Sequence, residues 1–230
     1  MANTNSDENE LAKSLNRLTR ASYVKSHIKE PLEESMATLL TEHKMFPTES
    51  IGIVLLLVFT YIDLLGCLYK GSNSSANAVE FMREYLGRID PRYKEVGGLL
   101  YDALRHGLVH LATPKRIQLQ NGMILDFLFA LVGQRQDNFK VTKAQEMQTR
   151  GDRLDIYRLS LNLSLLYEDL LSAMDKYAED IRHNQVLSDI FWKTFETRRK
   201  PEKAKEEVLL RKLYIQESDF DFVREQISNL

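Results

Sequence analysis

Arg105 and His110 stand with four residues between them in LRHGLVHLATP, residues 104–114, near the end of a long helical pattern. These are residue types that handle charge. A histidine titrates near neutrality and can act as acid or base, while an arginine can grip two phosphate oxygens with parallel hydrogen bonds. Asp102, His106 and His110 also lie at i, i+4 and i+8, one stripe of a helix. Two histidines four apart make a workable metal pair, but no second His or Cys cluster completes a shell, so no metal site is expected. A plainer reading stays open as well: cationic side chains suit a helix C-terminus because of its dipole and free carbonyls.

Geometry limits what one copy can do. Along a straight α-helix, five residues turn a side chain by about 140° and advance it by about 7.5 Å. Arg105 and His110 then face different directions. Either the helix opens near its end, where Pro114 disfavours helical geometry at Thr113, or two chains pool their motifs across a two-fold axis. Gly107, without a side chain, would let paired helices approach closely. Asp63, inside the preceding apolar helix, needs a hydrogen-bonded or charged neighbour if buried, and Arg105 is the candidate.

The elements that carry these residues are mostly helical. Leu11, Leu15, Leu18 and Ala21 recur at helical spacing after a loose tail expected over residues 1–10. Pro31 opens a second helix that Phe46-Pro47 closes, and TES supplies caps for a third, apolar on nearly every side from Ile51 to Leu68. This run is short for a membrane span and contains Asp63, so a buried core helix is expected. Ser74 or Ser75 caps a fourth helix, and Asp90-Pro91 starts a fifth that reaches about His110. Beyond Pro114 the period changes. Asn121-Gly122 between apolar runs predicts a type I′ hairpin, and NFKVT and LDIYRLSLNL add strands to a small antiparallel sheet inserted at about 115–161. Helical spacing returns in SLLYEDLLSAMDKYAEDI and VLSDIFWKTFETRR, where Leu187, Ile190, Phe191 and Phe195 form one face. The fold class expected is mainly α, a single domain over 11–200 with a helical extension at 201–230.

Composition narrows the function. With 31 basic against 33 acidic residues the net charge is -2, so nothing global attracts nucleic acid or an acidic membrane. A single cysteine, Cys67, excludes an internal disulfide, and the polar N-terminus carries no secretory signal, so a cytoplasmic location is expected and the sequons at Asn73 and Asn162 read as accidental. Tyr61, Tyr69, Tyr85 and Tyr101 suit a core or interface, and His27, His43 and His183 a polar surface. No phosphate-binding glycine loop, dinucleotide turn, nucleophile elbow or zinc-finger spacing is present.

The hexapeptide RHGLVH, Arg105 to His110, resembles the signature of the HEPN superfamily: arginine, then usually Asn, His or Asp, three further residues, and histidine. The resemblance covers residues 49–112 best and the 115–161 sheet not at all. It implies a HEPN-like helical bundle that dimerises so that two arginines and two histidines share one groove, with Arg105 and His110 catalytic, His106, Asp102 and Asp63 supporting, and Gly107 at the helix crossing. It further implies a metal-independent endoribonuclease without cofactors, acting in stress response or defence against phage, with RNA as substrate, DNA inert for want of a 2′-OH, and no membrane partner. In toxins of HEPN/MNT pairs a tyrosine follows the motif histidine by two positions; here that residue is Ala112, which argues against that branch and leaves any antitoxin or regulatory partner unspecified. A non-catalytic HEPN-like dimer that binds RNA, a nucleotide or a protein through the sheet is the alternative.

Overall fold

The computed structural model describes residues 4–43, 49–111, 113–120, 122–130, 134–144, 147–149, 152–154 and 156–199. The chain divides into two compact units, Met1–Phe195 and Glu196–Leu230. In the second unit only the end of one helix, to residue 199, is described, so the extension expected at 201–230 lies outside the described residues.

The first unit is mostly helical. Helices α1 (Thr4–Val24) and α2 (Glu30–His43) are joined without a break by a π-helical turn, Lys25–Lys29. Pro31 accounts for that turn: it has no N–H to donate and its ring crowds the carbonyl four residues earlier, and a wider turn just before it relieves both. Since α1 begins at Thr4, most of the tail expected over residues 1–10 is helical. The acidic residues of NSDENE complement the positive end of a helix dipole, a local preference that outweighs their polarity.

Helix α3 (Glu49–Lys70) runs through the middle of the core, with Val58, Phe59, Ile62, Leu65 and Leu68 fully buried. Its segment Ile51–Lys70 is long and apolar enough to cross a membrane, so length is no argument against a span; half of that segment is buried within the protein. Helix α4 (Ser75–Glu84) packs along α3 and starts at Ser74, whose hydroxyl accepts from the Asn77 N–H at 3.2 Å. Gly66 permits this approach: a Cβ there would lie 2.6 Å from the Cα and N of Ala78.

From Arg92 one continuous helical rod holds the motif, as α5 (Arg92–Leu100), a π-helical turn (Tyr101–His106) and α6 (Gly107–Leu111). Helices α7 (Leu163–His183) and α8 (Gln185–Arg199) complete the helical layer. Asn162 caps α7 through its side chain, which accepts from the Leu165 N–H, and it is buried. Leu187 and Phe191 of α8 are buried, with Ile190 and Phe195 partly covered on the same side.

Between α6 and α7 lie β1 (Ile117–Gln118), β2 (Ile124–Ala130), β3 (Val141–Lys143), β4 (Met147–Thr149), β5 (Asp152–Leu154) and β6 (Ile156–Asn162). Strands β1 and β2 form the expected hairpin, with Gly122 at φ +80°; Asn121 lies outside the described residues. The sheet is not purely antiparallel. Its order is β1-β2-β6-β3, and the central pair β2 and β6 is parallel, registered from Ile124 opposite Ile156 to Ala130 opposite Asn162. Alternation of apolar residues specifies which face is buried and nothing about strand direction, while the 131–155 connection is long enough for the crossover that a parallel pair demands. Leu125, Phe127, Leu159 and Leu161 pack into the helical core. Strands β4 and β5 pair separately.

A buried ion network fastens the segment before β3 to the helices. Asp169 of α7, 1% exposed, accepts both terminal nitrogens of Arg135 at 2.9 and 2.6 Å and the Tyr93 hydroxyl at 3.0 Å. Asp90, also buried, pairs with Arg92, whose guanidinium donates to the carbonyls of Asn138 and Arg135. Those bonds to Arg92 hold the Asp90 carboxyl below the usual carboxylate range.

Two outcomes follow from this packing. Gly66→Ala forces a methyl into backbone and is expected to cost about 1–3 kcal/mol in urea unfolding; an unchanged midpoint would show that α3 and α4 can separate freely. Because the folded-state pKa of Asp90 is depressed, its contribution is in place above the ordinary carboxylate range and is lost as pH falls below about 4. The urea midpoint should therefore fall less steeply with acidification in Asp90→Asn than in the wild type.

Candidate functional site

The motif helix changes gauge where the motif begins. A π turn carries an extra residue per turn, and such bulges recur at functional positions. Here it spans Tyr101–His106, brings the Tyr101 and His106 rings edge to face at 5.3 Å, and leaves the Ala103 carbonyl to accept the Lys115 N–H at 2.9 Å. The chain after α6 thus folds back against the helix it has just left. Gly107 is where the return passes: a Cβ there would lie 2.7 Å from the Lys115 nitrogen and the Thr113 oxygen. The space above Gly107 is occupied by the chain's own returning backbone, a close approach that a side chain there would block.

Asp63 and the motif meet as expected. Its carboxylate accepts from Arg105 Nε at 2.7 Å and from the Tyr101 hydroxyl at 2.5 Å, which joins α3 to the π turn. Burial, and then the bond to Asp63, pushes the Tyr101 phenol upward. Arg105 is held by one edge. Its two terminal nitrogens have no hydrogen-bond partner among the described residues, and the side chain is 24% exposed. A guanidinium fixed through Nε with its fork open is suited to a planar oxyanion such as phosphate.

His106 belongs to a second set of contacts. Its Nδ1 lies 3.0 Å from Asp102 Oδ1, and its Nε2 lies 3.4 Å from the Ser75 hydroxyl at the start of α4. Lys115 Nζ reaches the same Asp102 oxygen at 3.4 Å. The bond with His106, ahead of the Lys115 charge, holds the Asp102 carboxyl below its usual range. His110 is placed on α6, one turn beyond the π segment; its side chain lies outside the described residues. The backbone from Gly107 onward is α-helical, whereas Arg105 lies in the π turn, so the two motif positions belong to segments of different helical gauge.

Asp102 and His106 bond to each other rather than converging on an open point, and among the described residues no group of three or more His, Cys, Asp or Glu is placed to hold a metal. Of the remaining histidines, His27 is exposed against Tyr23 and His183 is exposed and bonded to Glu179, as expected for surface residues, whereas the side chain of His43 lies outside the described residues. Tyr85 and Tyr101 are buried, and Tyr61 and Tyr69 are partly buried.

Three site members carry no signal in the sequence. Ser75 reads only as a possible cap, Tyr101 as a core aromatic, and Lys115 as the residue after a helix-ending proline. Each joins the motif through chain reversal or helix packing, which spacing does not encode. Beside the motif, Thr113, Pro114, Lys115, Arg116, Asp126 and Phe129 line an open cleft of about 630 Å³, bridged by an Arg116–Asp126 pair at 3.1 Å. No family model matches the chain, and no curated protein or solved structure matches it significantly.

Proposed function

We propose that the chain is a metal-independent endoribonuclease of HEPN type, acting as a cytoplasmic homodimer in which two copies of Arg105 and His110 share one groove. The observation that carries this reading is the state of Arg105, anchored by Asp63 through Nε with the rest of its guanidinium open. In RNA cleavage through the ribose 2′-OH, a base takes the hydroxyl proton, the oxygen attacks phosphorus, and an acid protonates the departing 5′-oxygen. The Arg105 fork would hold the phosphate oxygens as negative charge grows on them, and His110 would move the proton. The partner copy supplies the second histidine and the second arginine of the shared groove.

A surface for that partner is present beside the motif. Ile53 and Leu56 on α3, and Val109 on α6, are 53%, 39% and 45% exposed. The two helices touch each other, so these apolar side chains sit on one packed pair. Leaving them in water costs free energy that a second copy would recover by covering them. The cleft lined by Lys115 and Arg116 offers room for the flanking RNA in a chain whose net charge draws in no long polyanion.

The test is cleavage of mixed RNA in EDTA. Wild type should generate 2′,3′-cyclic phosphate ends, with Arg105→Ala and His110→Ala each slower by about 10²–10³-fold and 2′-deoxy substrates intact. Activity in both variants, or none in wild type, overturns the reading. Leu56→Glu should shift the protein from dimer to monomer in sedimentation and abolish cleavage together with it. A wild-type monomer that still cleaves would remove the composite site.

A further inference from the structure

Ser75, His106 and Asp102 stand in the order hydroxyl, imidazole, carboxylate. The Ser75 oxygen is 3.4 Å from Nε2 of His106, and the opposite ring nitrogen, Nδ1, is 3.0 Å from Asp102 Oδ1. A carboxylate beside Nδ1 selects the tautomer that carries a proton there, which turns the unprotonated Nε2 toward the serine. This relay is recognised by geometry and roles on unrelated folds, and its nucleophile–base distance is commonly longer in the absence of substrate.

Three further observations bear on the role of the Ser75 hydroxyl. Capping of α4 is already performed by Ser74, which accepts from the Asn77 N–H, so the Ser75 hydroxyl is not needed as the cap and instead lies against the Tyr101 phenol and His106 Nε2. Ser75 is exposed, and a substrate can reach it. His106 is positioned from two more sides, by the edge of the Tyr101 ring and by Lys115, which shares the Asp102 oxygen. His106 faces Ser75 at the start of α4 while Arg105 turns to Asp63 on α3, so adjacent residues serve two different clusters.

We propose that Ser75, His106 and Asp102 form a serine-nucleophile relay that hydrolyses small carboxylic esters, an activity distinct from RNA cleavage. The Ser75 oxygen adds to the ester carbonyl carbon as its proton passes to His106 Nε2. The bond to the alcohol oxygen breaks and that proton moves to the departing alcohol. Water then attacks the acyl-serine carbonyl, giving one proton to His106. The carboxylic acid departs and the proton returns to the Ser75 oxygen. Asp102 keeps the ring in one tautomer and stabilises the imidazolium that forms twice in the cycle.

The test uses the full chain and an alkyl fluorophosphonate, which phosphonylates an activated serine with loss of fluoride, followed by p-nitrophenyl acetate as the ester. One phosphonyl group per chain should map to Ser75 in peptide mass spectra, and Ser75→Ala should carry none. His106→Ala should label at least about 100-fold more slowly and turn over the ester correspondingly more slowly, with Asp102→Asn impaired in the same direction. Circular dichroism of each variant separates loss of chemistry from loss of fold. Wild-type protein that leaves Ser75 unlabelled at millimolar probe, or labelling as fast in folded His106→Ala and Asp102→Asn as in wild type, overturns the proposal. RNA cleavage is not a readout here, so the result stands apart from the ribonuclease reading.

Discussion

A carboxylate in the middle of an apolar helix has to be answered by donors, and in this chain the answer organises the motif. Asp63 lies on α3 beside fully buried side chains and is itself 20% exposed, so its partly desolvated carboxylate gains from well-placed donors. The Tyr101 hydroxyl and Arg105 Nε satisfy it. For both to reach one carboxylate, residues 101 and 105 must present to α3 together, which fixes the rotation of the motif helix about its axis. Everything else follows from that rotation: His106 turns toward α4, and Ala103 offers its carbonyl to the returning chain.

The π turn is the backbone's way of meeting these demands at once. The pairs Tyr101 with Arg105 and Asp102 with His106 are spaced four residues apart and share a helix face, while the wider turn changes how the backbone carbonyls of this stretch are used. The extra residue leaves a carbonyl that the Lys115 N–H satisfies, and Gly107 lets the returning backbone come close enough to do so. A second π turn, before Pro31, has a different origin in the missing N–H of proline. One is thus imposed by local covalent structure and the other by tertiary contacts.

Two polar networks divide the labour in the first unit. The Asp63 and Asp102 clusters are partly open to solvent and hold side chains with unused bonding capacity. The Asp90–Arg92–Arg135–Asp169 network has buried carboxylates under half-exposed arginines, uses both terminal nitrogens of Arg135, and ties the segment before β3 to α5 and α7. Saturated bonding of this kind fastens structure together, whereas the open fork of Arg105 and the exposed Ser75 hydroxyl leave room for a ligand. This contrast, rather than the bare presence of charged residues, separates candidate chemistry from anchorage.

What the amino-acid sequence determined by itself is local. Helical periodicity set the rods, the Ser74-Ser75 pair and Asp90-Pro91 their starts, Asn121-Gly122 a hairpin, and the types of Arg105, His106 and Asp102 the chemistry available at the end of one rod. The partner of Asp63 was legible too, because an acid set in an apolar helix calls for a charged or hydrogen-bonding neighbour and Arg105 was the candidate. Tertiary structure alone decided the parallel pairing of β2 with β6, since side-chain alternation is the same for either strand direction. It decided the use of Gly107 within one copy, the shift of helical register at Tyr101, and the meeting of Ser75 with His106 across 31 positions of sequence. Each of these depends on which backbone comes close to which, and spacing along a chain carries no record of that.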